Sequence, residues 1–272
     1  MNAPTPHLRG DYAAAAADFT LPQHHALIPE ADHETWRVLM RRQAALLPDH
    51  AARAYRDGLA RLRCGEGVPD LARASEALRG TGWRLVGVPG LIPEDAFFAH
   101  LAARSFPVTV WIRRPEELDY LEEPDIFHDF AGHVPLLTNP AFADFLEAYG
   151  RLGSFAAKHG ALKPLARLYW HMVEFGLIEE EGAIRAYGAG ILSSRTETIY
   201  STTSAVPLRL RFDSLRVLRS DYRIDDLQPT YFVIRDYAGL FHVMDALPDL
   251  LLRARDAQPI PPGAREPGDQ PI

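Results

Sequence analysis

The chain has 272 residues, 47% of them apolar and 24% charged, with a formal net charge of −7 and a single cysteine, Cys64. These are ordinary globular figures, and with no Lys/Arg-rich run they exclude a nucleic-acid or anionic-membrane surface as the main partner. One thiol excludes an intramolecular disulfide and a cysteine-built zinc site, and it points to a reducing, cytoplasmic setting. No stretch approaches the roughly 18 consecutive apolar residues of a membrane span. The Ala-rich run at 13–17 has no basic lead-in of the kind a secretion signal carries.

Residues 1–30 hold several Pro and His with little periodicity and read as an extended N-terminal arm. A helix is expected from Asp32 to Leu47, with Trp36, Leu39, Met40 and Ala44 at helical spacing and Pro48 as its stop. Helices at about 50–62 and 69–79 follow, the second ended by Gly80. Between Trp83 and Pro93 the β-prone Leu85, Val86, Val88, Leu91 and Ile92 are cut into short pieces by Gly and Pro. Helix at 97–106 and a short strand at 107–113 come next. Helix then dominates, at 125–131, 140–157, 162–178 and 181–187, with Pro140 in the first turn of the second. Strands are expected within 208–215 and 230–234, a last helix at 240–255, and a flexible tail at 256–272. The expected fold is mainly α with a few short β-strands, a single catalytic domain at 31–255 between arm and tail.

The densest chemistry lies in Glu122-Glu-Pro-Asp-Ile-Phe-His-Asp-Phe-Ala-Gly-His-Val-Pro135. Two imidazoles, His128 and His133, sit in an apolar segment, and Glu174 has similar surroundings within 168–177. Carboxylates are rarely buried without a partner or a metal. Two His and one carboxylate are the donor set of a mononuclear non-haem Fe(II) site with open positions opposite. On a straight α-helix a five-residue spacing separates the two rings by about 140°, so a shared site needs a distorted turn. The spacing permits iron without requiring it; a core with two hydrogen-bonded histidines and one carboxylate fits as well.

His171, three residues before Glu174, would share its face on an α-helix. It reads as a packing or supporting residue, because dinuclear carboxylate sites want several Glu from a four-helix bundle. Arg113 is placed to hold a carboxylate with two parallel bonds or to pair on the surface. Tyr169, Trp170 and Phe175 are pocket walls or core, and Ser193 and Ser194 either hold a ligand's polar end or form a loop. A zinc hydrolase with these ligands would normally carry His-Glu-x-x-His, which is missing.

Pro124–Pro135 resembles the iron-binding signature of the pterin-dependent aromatic amino acid hydroxylases. Tyr169–Leu177 resembles the family's second signature and Tyr187–Ser194 its third. The likeness runs from about Phe19 to Ile234 and is closest to the short bacterial members that act on phenylalanine. It implies hydroxylation of L-phenylalanine to L-tyrosine with Fe(2+), tetrahydropterin and O2, and His128, His133 and Glu174 as iron ligands. By position it implies Gly90, Ile92, Phe97 and Asp129 as pterin contacts. Arg113, Trp170, Phe175, Ser193, Ser194 and Val233 fall at substrate positions, and Glu197 at an acidic active-site position. Three residues depart from the pattern: Leu121 where some animal members have threonine, His171 where Tyr or Phe is commoner, and Arg195 at a variable position. Apolar Val233 favours phenylalanine over tyrosine as substrate. Hydroxylation of Trp or Tyr, or metal-dependent hydrolysis, are the alternatives. The partners expected are small molecules alone, in a cytoplasmic monomer without a regulatory domain.

Overall fold

A computed structural model describes residues 8–119, 121 and 123–272. Helices dominate the described residues. In the first half they are α1 (Glu30–Ala44), α2 (Leu47–His50), α3 (Arg53–Leu62), α4 (Leu71–Ala77) and α5 (Glu94–Ala102). The strands β1 (Arg84–Val88) and β2 (Ser105–Thr109) flank α5 and pair in parallel, Arg84 opposite Ser105. α6 (Pro140–Lys158) is the longest helix. Asn139 caps it by accepting from Phe142 N at 3.1 Å, Pro140 sits in its first turn, and one face buries Phe142, Phe145, Leu146 and Tyr149. α7 (Leu162–Tyr169) follows and packs against it.

The second half begins with β3 (Leu177–Glu180) and β4 (Ala183–Ala186). Helix was expected at 181–187, and the structure has an antiparallel hairpin instead. The reason is local: Glu181 and Gly182 both take positive φ, 53° and 75°, which makes the two-residue turn that suits a hairpin's twist. α8 (Ala189–Leu192), α9 (Arg195–Thr203), β5 (Leu208–Arg211), α10 (Ser214–Arg219) and β6 (Thr230–Ile234) complete this region, before α11 (Tyr237–Val243) and α12 (Leu247–Asp256). The four strands are ordered β4-β3-β6-β5, with β6 parallel to both its neighbours. One continuous apolar core runs from Trp36 to Ala254.

The described parts of the arm and the segment after α12 both bond to this body. The arm crosses β1, where Leu21 N donates to Gly87 O at 2.7 Å. The segment after α12, expected as a flexible tail, is tied down in three places. Ile260 bridges Ser220, Pro271 bridges Leu210, and Asp269 pairs with Arg216 at 2.8 Å. Among the described residues no helix is long and apolar enough to cross a membrane.

Candidate metal centre

Phe127–His133 and Trp170–Glu174 are both π-helical turns. In such a turn hydrogen bonds run from residue i to i+5, as from Phe175 N to Trp170 O at 2.9 Å. Residues five apart therefore return to nearly the same face. That is how His128 and His133, badly splayed on an ordinary helix, converge, with ring centroids 5.1 Å apart.

Glu174 meets them from the second turn. Its carboxylate oxygens lie 3.2 Å from His133 Nε2 and 3.6 Å from His128 Nε2. One donor atom from each of the three residues falls within 4.8 Å of the others. Burial raises the Glu174 carboxyl, but His133 and His128 outweigh it and hold it below its ordinary value. Burial lowers the His133 ring, and Glu174 reverses that. Ser193 fixes the other side of His128: its hydroxyl donates to Ala189 O at 2.8 Å, so it accepts from His128 Nδ1 at 2.9 Å. With the proton on Nδ1, the Nε2 lone pair faces the centre, the usual way a ligating histidine is oriented. The donor set and its support therefore fit a divalent metal.

Two of the three donors face a cleft of about 740 Å³. Arg113, Phe127, Trp170, Phe175, Ser193, Ser194 and Glu197 line it together with His128 and Glu174. Arg113 lies four residues beyond the end of β2 and is held by the fully buried Asp125. Arg113 Nε and Nη2 donate to the two Asp125 oxygens at 2.9 Å each, and the backbone N–H of Arg113 and of His128 adds bonds at 2.9 and 3.0 Å. Among the described residues Nη1 has no hydrogen-bond partner. Trp170 stacks on Tyr222 at 4.2 Å and donates from Nε1 to Gln228 at 3.0 Å. Glu197 is buried, accepts from Gln228 N at 3.2 Å and from the Tyr231 hydroxyl, and burial raises its carboxyl.

The model of the biopterin-dependent aromatic amino acid hydroxylases matches residues 9–250. The chain belongs to that family. It is 52% identical over 259 residues to a phenylalanine-4-hydroxylase of Chromobacterium violaceum, covering 93% of this chain and 86% of that one. With a Ralstonia nicotianae phenylalanine-4-hydroxylase it shares 54% over 226 residues, 82% of this chain and 72% of the other. The Chromobacterium violaceum phenylalanine hydroxylase structure with bound oxidized Fe(III) superposes with a TM-score of 0.91 at 52% identity over 94% of each chain. A cobalt-bound structure of that protein gives 0.92 at 50% over 95% of each. Family membership removes the hydrolase alternative.

The other positions carried by the family likeness divide. Phe97 packs edge-on against Tyr169 at 5.5 Å, and Tyr169 lies 6.1 Å from the His133 ring. Asp129 accepts from Thr109 N at 2.8 Å, and burial raises its carboxyl. Gly90 and Ile92 lie in the loop between β1 and α5, whose Leu91 lines the cleft. Leu121 and Arg195 line it as well.

Val233 has a different setting from the residues above. It is fully buried in β6, with β3 on one side and β5 on the other, and is absent from the lining. His171 does not share a face with Glu174 either, because three residues fall well short of one wide turn. Its Nε2 bonds Ser220 O at 3.1 Å, its ring stands edge-on to Phe232 at 5.1 Å, and burial pushes it down to about 4. It is a core residue. Asp125, Tyr222 and Gln228 were not singled out from sequence; an acidic residue three before His128 was the only available signal, and it was shared with neighbouring Asp and Glu.

Proposed function

We propose that this chain hydroxylates L-phenylalanine to L-tyrosine with tetrahydropterin and O2, at a single iron(II) held by His128, His133 and Glu174. The observation that carries the reading is the convergence of those three donors, within 4.8 Å, beside a cleft that Arg113 also lines. Iron bound there, with reduced pterin as electron source, supplies the oxygen-activating chemistry. The chain's own residues do the placing. Arg113, immobilised by Asp125, takes the substrate carboxylate, and Trp170 and Phe175 flank the ring, so its para carbon faces the triad. Ser193 keeps the His128 proton on Nδ1. Ser194 and Glu197 are polar contacts on the substrate side. Gly90, Ile92, Phe97 and Asp129 are the pterin side, with Phe97 offering an aromatic face. The protein works in the cytoplasm as a monomer.

Product analysis tests this. Iron-loaded protein with phenylalanine, tetrahydropterin and O2 is expected to form tyrosine, and metal-free protein none. Pterin consumption without tyrosine would move the assignment to another aromatic substrate, and neither consumption nor product would refute it.

A further inference from the structure

The chemistry above uses none of the first described residues, yet they bind the rim of the cleft together. Arg9 forms a two-pronged pair with Glu117: Nη1 reaches Oε2 at 2.7 Å and Nη2 contacts Oε1. That carboxylate also accepts from Arg114 N at 2.9 Å, beside Arg113, and the Arg9 bonds hold it down at about 2. Arg9 N donates to Glu123 at 3.1 Å, and its guanidinium lies over the Trp111 ring at 5.3 Å. Trp111 Nε1 in turn donates to Pro89 O at 2.8 Å. Tyr12 closes the circuit, its hydroxyl 3.0 Å from Leu91 O and 3.3 Å from Glu123 Oε1. Burial and Glu123 push that hydroxyl up to about 12, so it remains a donor. The fit is tight: a Cβ on Gly90 would come within 2.3 Å of Glu123 Oε1 and 2.7 Å of the Tyr12 hydroxyl.

Two loops meet at this clasp. One, 89–93, carries Gly90 and Ile92; the other, described at 114–119, 121 and 123, follows Arg113 and lines the cleft with Leu118 and Leu121. We infer that Arg9 and Tyr12 are positioning residues that fasten the cofactor loop to the substrate loop, so that pterin and amino acid each favour binding of the other. This rests on the pterin and carboxylate assignments proposed above. An exposed ion pair adds little to fold stability. What it does here is hold two loops in one arrangement, and a ligand that orders one loop then finds the other already placed.

The test uses the full iron-loaded chain with Arg9→Ala, Tyr12→Phe and the double variant. KM for pterin and phenylalanine are expected to rise about five-fold. kcat, iron content and melting temperature stay near wild type. Phenylalanine should lose most of its effect on pterin affinity. Glu117→Gln should reproduce Arg9→Ala without adding to it, and Arg9→Lys should recover part of the loss. Unchanged KM values and coupling in the double variant would overturn the proposal, as would a fall in melting temperature and iron content with no split between KM and kcat. Ile92→Ala separates the two ways of failing. If it raises the pterin KM and the arm variants do not, the clasp is wrong and the cofactor side stands. If it too does nothing, the loop assignment falls and takes the clasp with it.

Discussion

The turn at Phe127–His133 and the turn at Trp170–Glu174 share their wide winding but direct their side chains differently. The first sends two imidazoles to one point and packs Phe127, Phe130 and Ala131 into the core. The second sends only Glu174 there; its histidine points away, with Nδ1 lacking any partner among the described residues. Histidine as a residue type is therefore no guide to ligation here. The phase of the backbone decides, and a π turn changes that phase enough to pull i and i+5 together and to part i and i+3.

Substitutions can break or sharpen this contrast. The largest effect belongs to the convergent donors: Glu174→Ala or His133→Ala should weaken iron binding by well over about 100-fold and abolish tyrosine formation. Iron content by metal analysis and product formation by chromatography check this, and an iron-loaded Glu174→Ala enzyme with full activity would refute the assignment. Next is the residue under Arg113. Asp125→Ala strands a buried guanidinium and should cost about 3–5 kcal/mol, read by urea unfolding, with a raised KM for phenylalanine and an unchanged one for pterin.

His171 tests the other side of the contrast through pH. Its ring is pushed from 6.5 down to about 4, so the unfolded chain takes up the proton first. Stability from this group is complete above pH 6.5 and is lost as pH falls toward 4, by at most about 3 kcal/mol. His171→Phe should flatten that acid limb while leaving iron affinity near wild type; a loss of iron on the scale of Glu174→Ala would show that the residue reaches the metal. The smallest effect is expected from Ser193→Ala, which frees the His128 tautomer and should weaken metal binding about 10-fold in a chelator competition.

The triad was legible because its residues are chemically conspicuous in apolar surroundings and recur in the family's signatures; its geometry was not, because helical periodicity assumes one winding. Helix was expected at 181–187, yet Gly182 after three glutamates was a hint of the hairpin between Leu177 and Ala186. Val233 drew attention only through a positional likeness; its place in β6, with β3 and β5 on either side, has no local sequence signal. Asp125 escaped notice because only burial distinguishes it from the acidic residues around it. The clasp at Arg9 and Tyr12 joins residues 79 to 114 positions apart, and no local pattern carries that.

The sheet has two edges, β4 and β5, and open edges invite pairing with a second chain. Ala52 N donates to Ala186 O at 2.8 Å on one, while on the other Arg211 N donates to Gln270 O at 2.8 Å and Ile272 N to Arg209 O at 3.0 Å. Residues 270–272 thus take up backbone groups of β5 that an open edge would offer to a second chain. Trimming them would first show as aggregation on storage, with turnover per correctly folded molecule still intact.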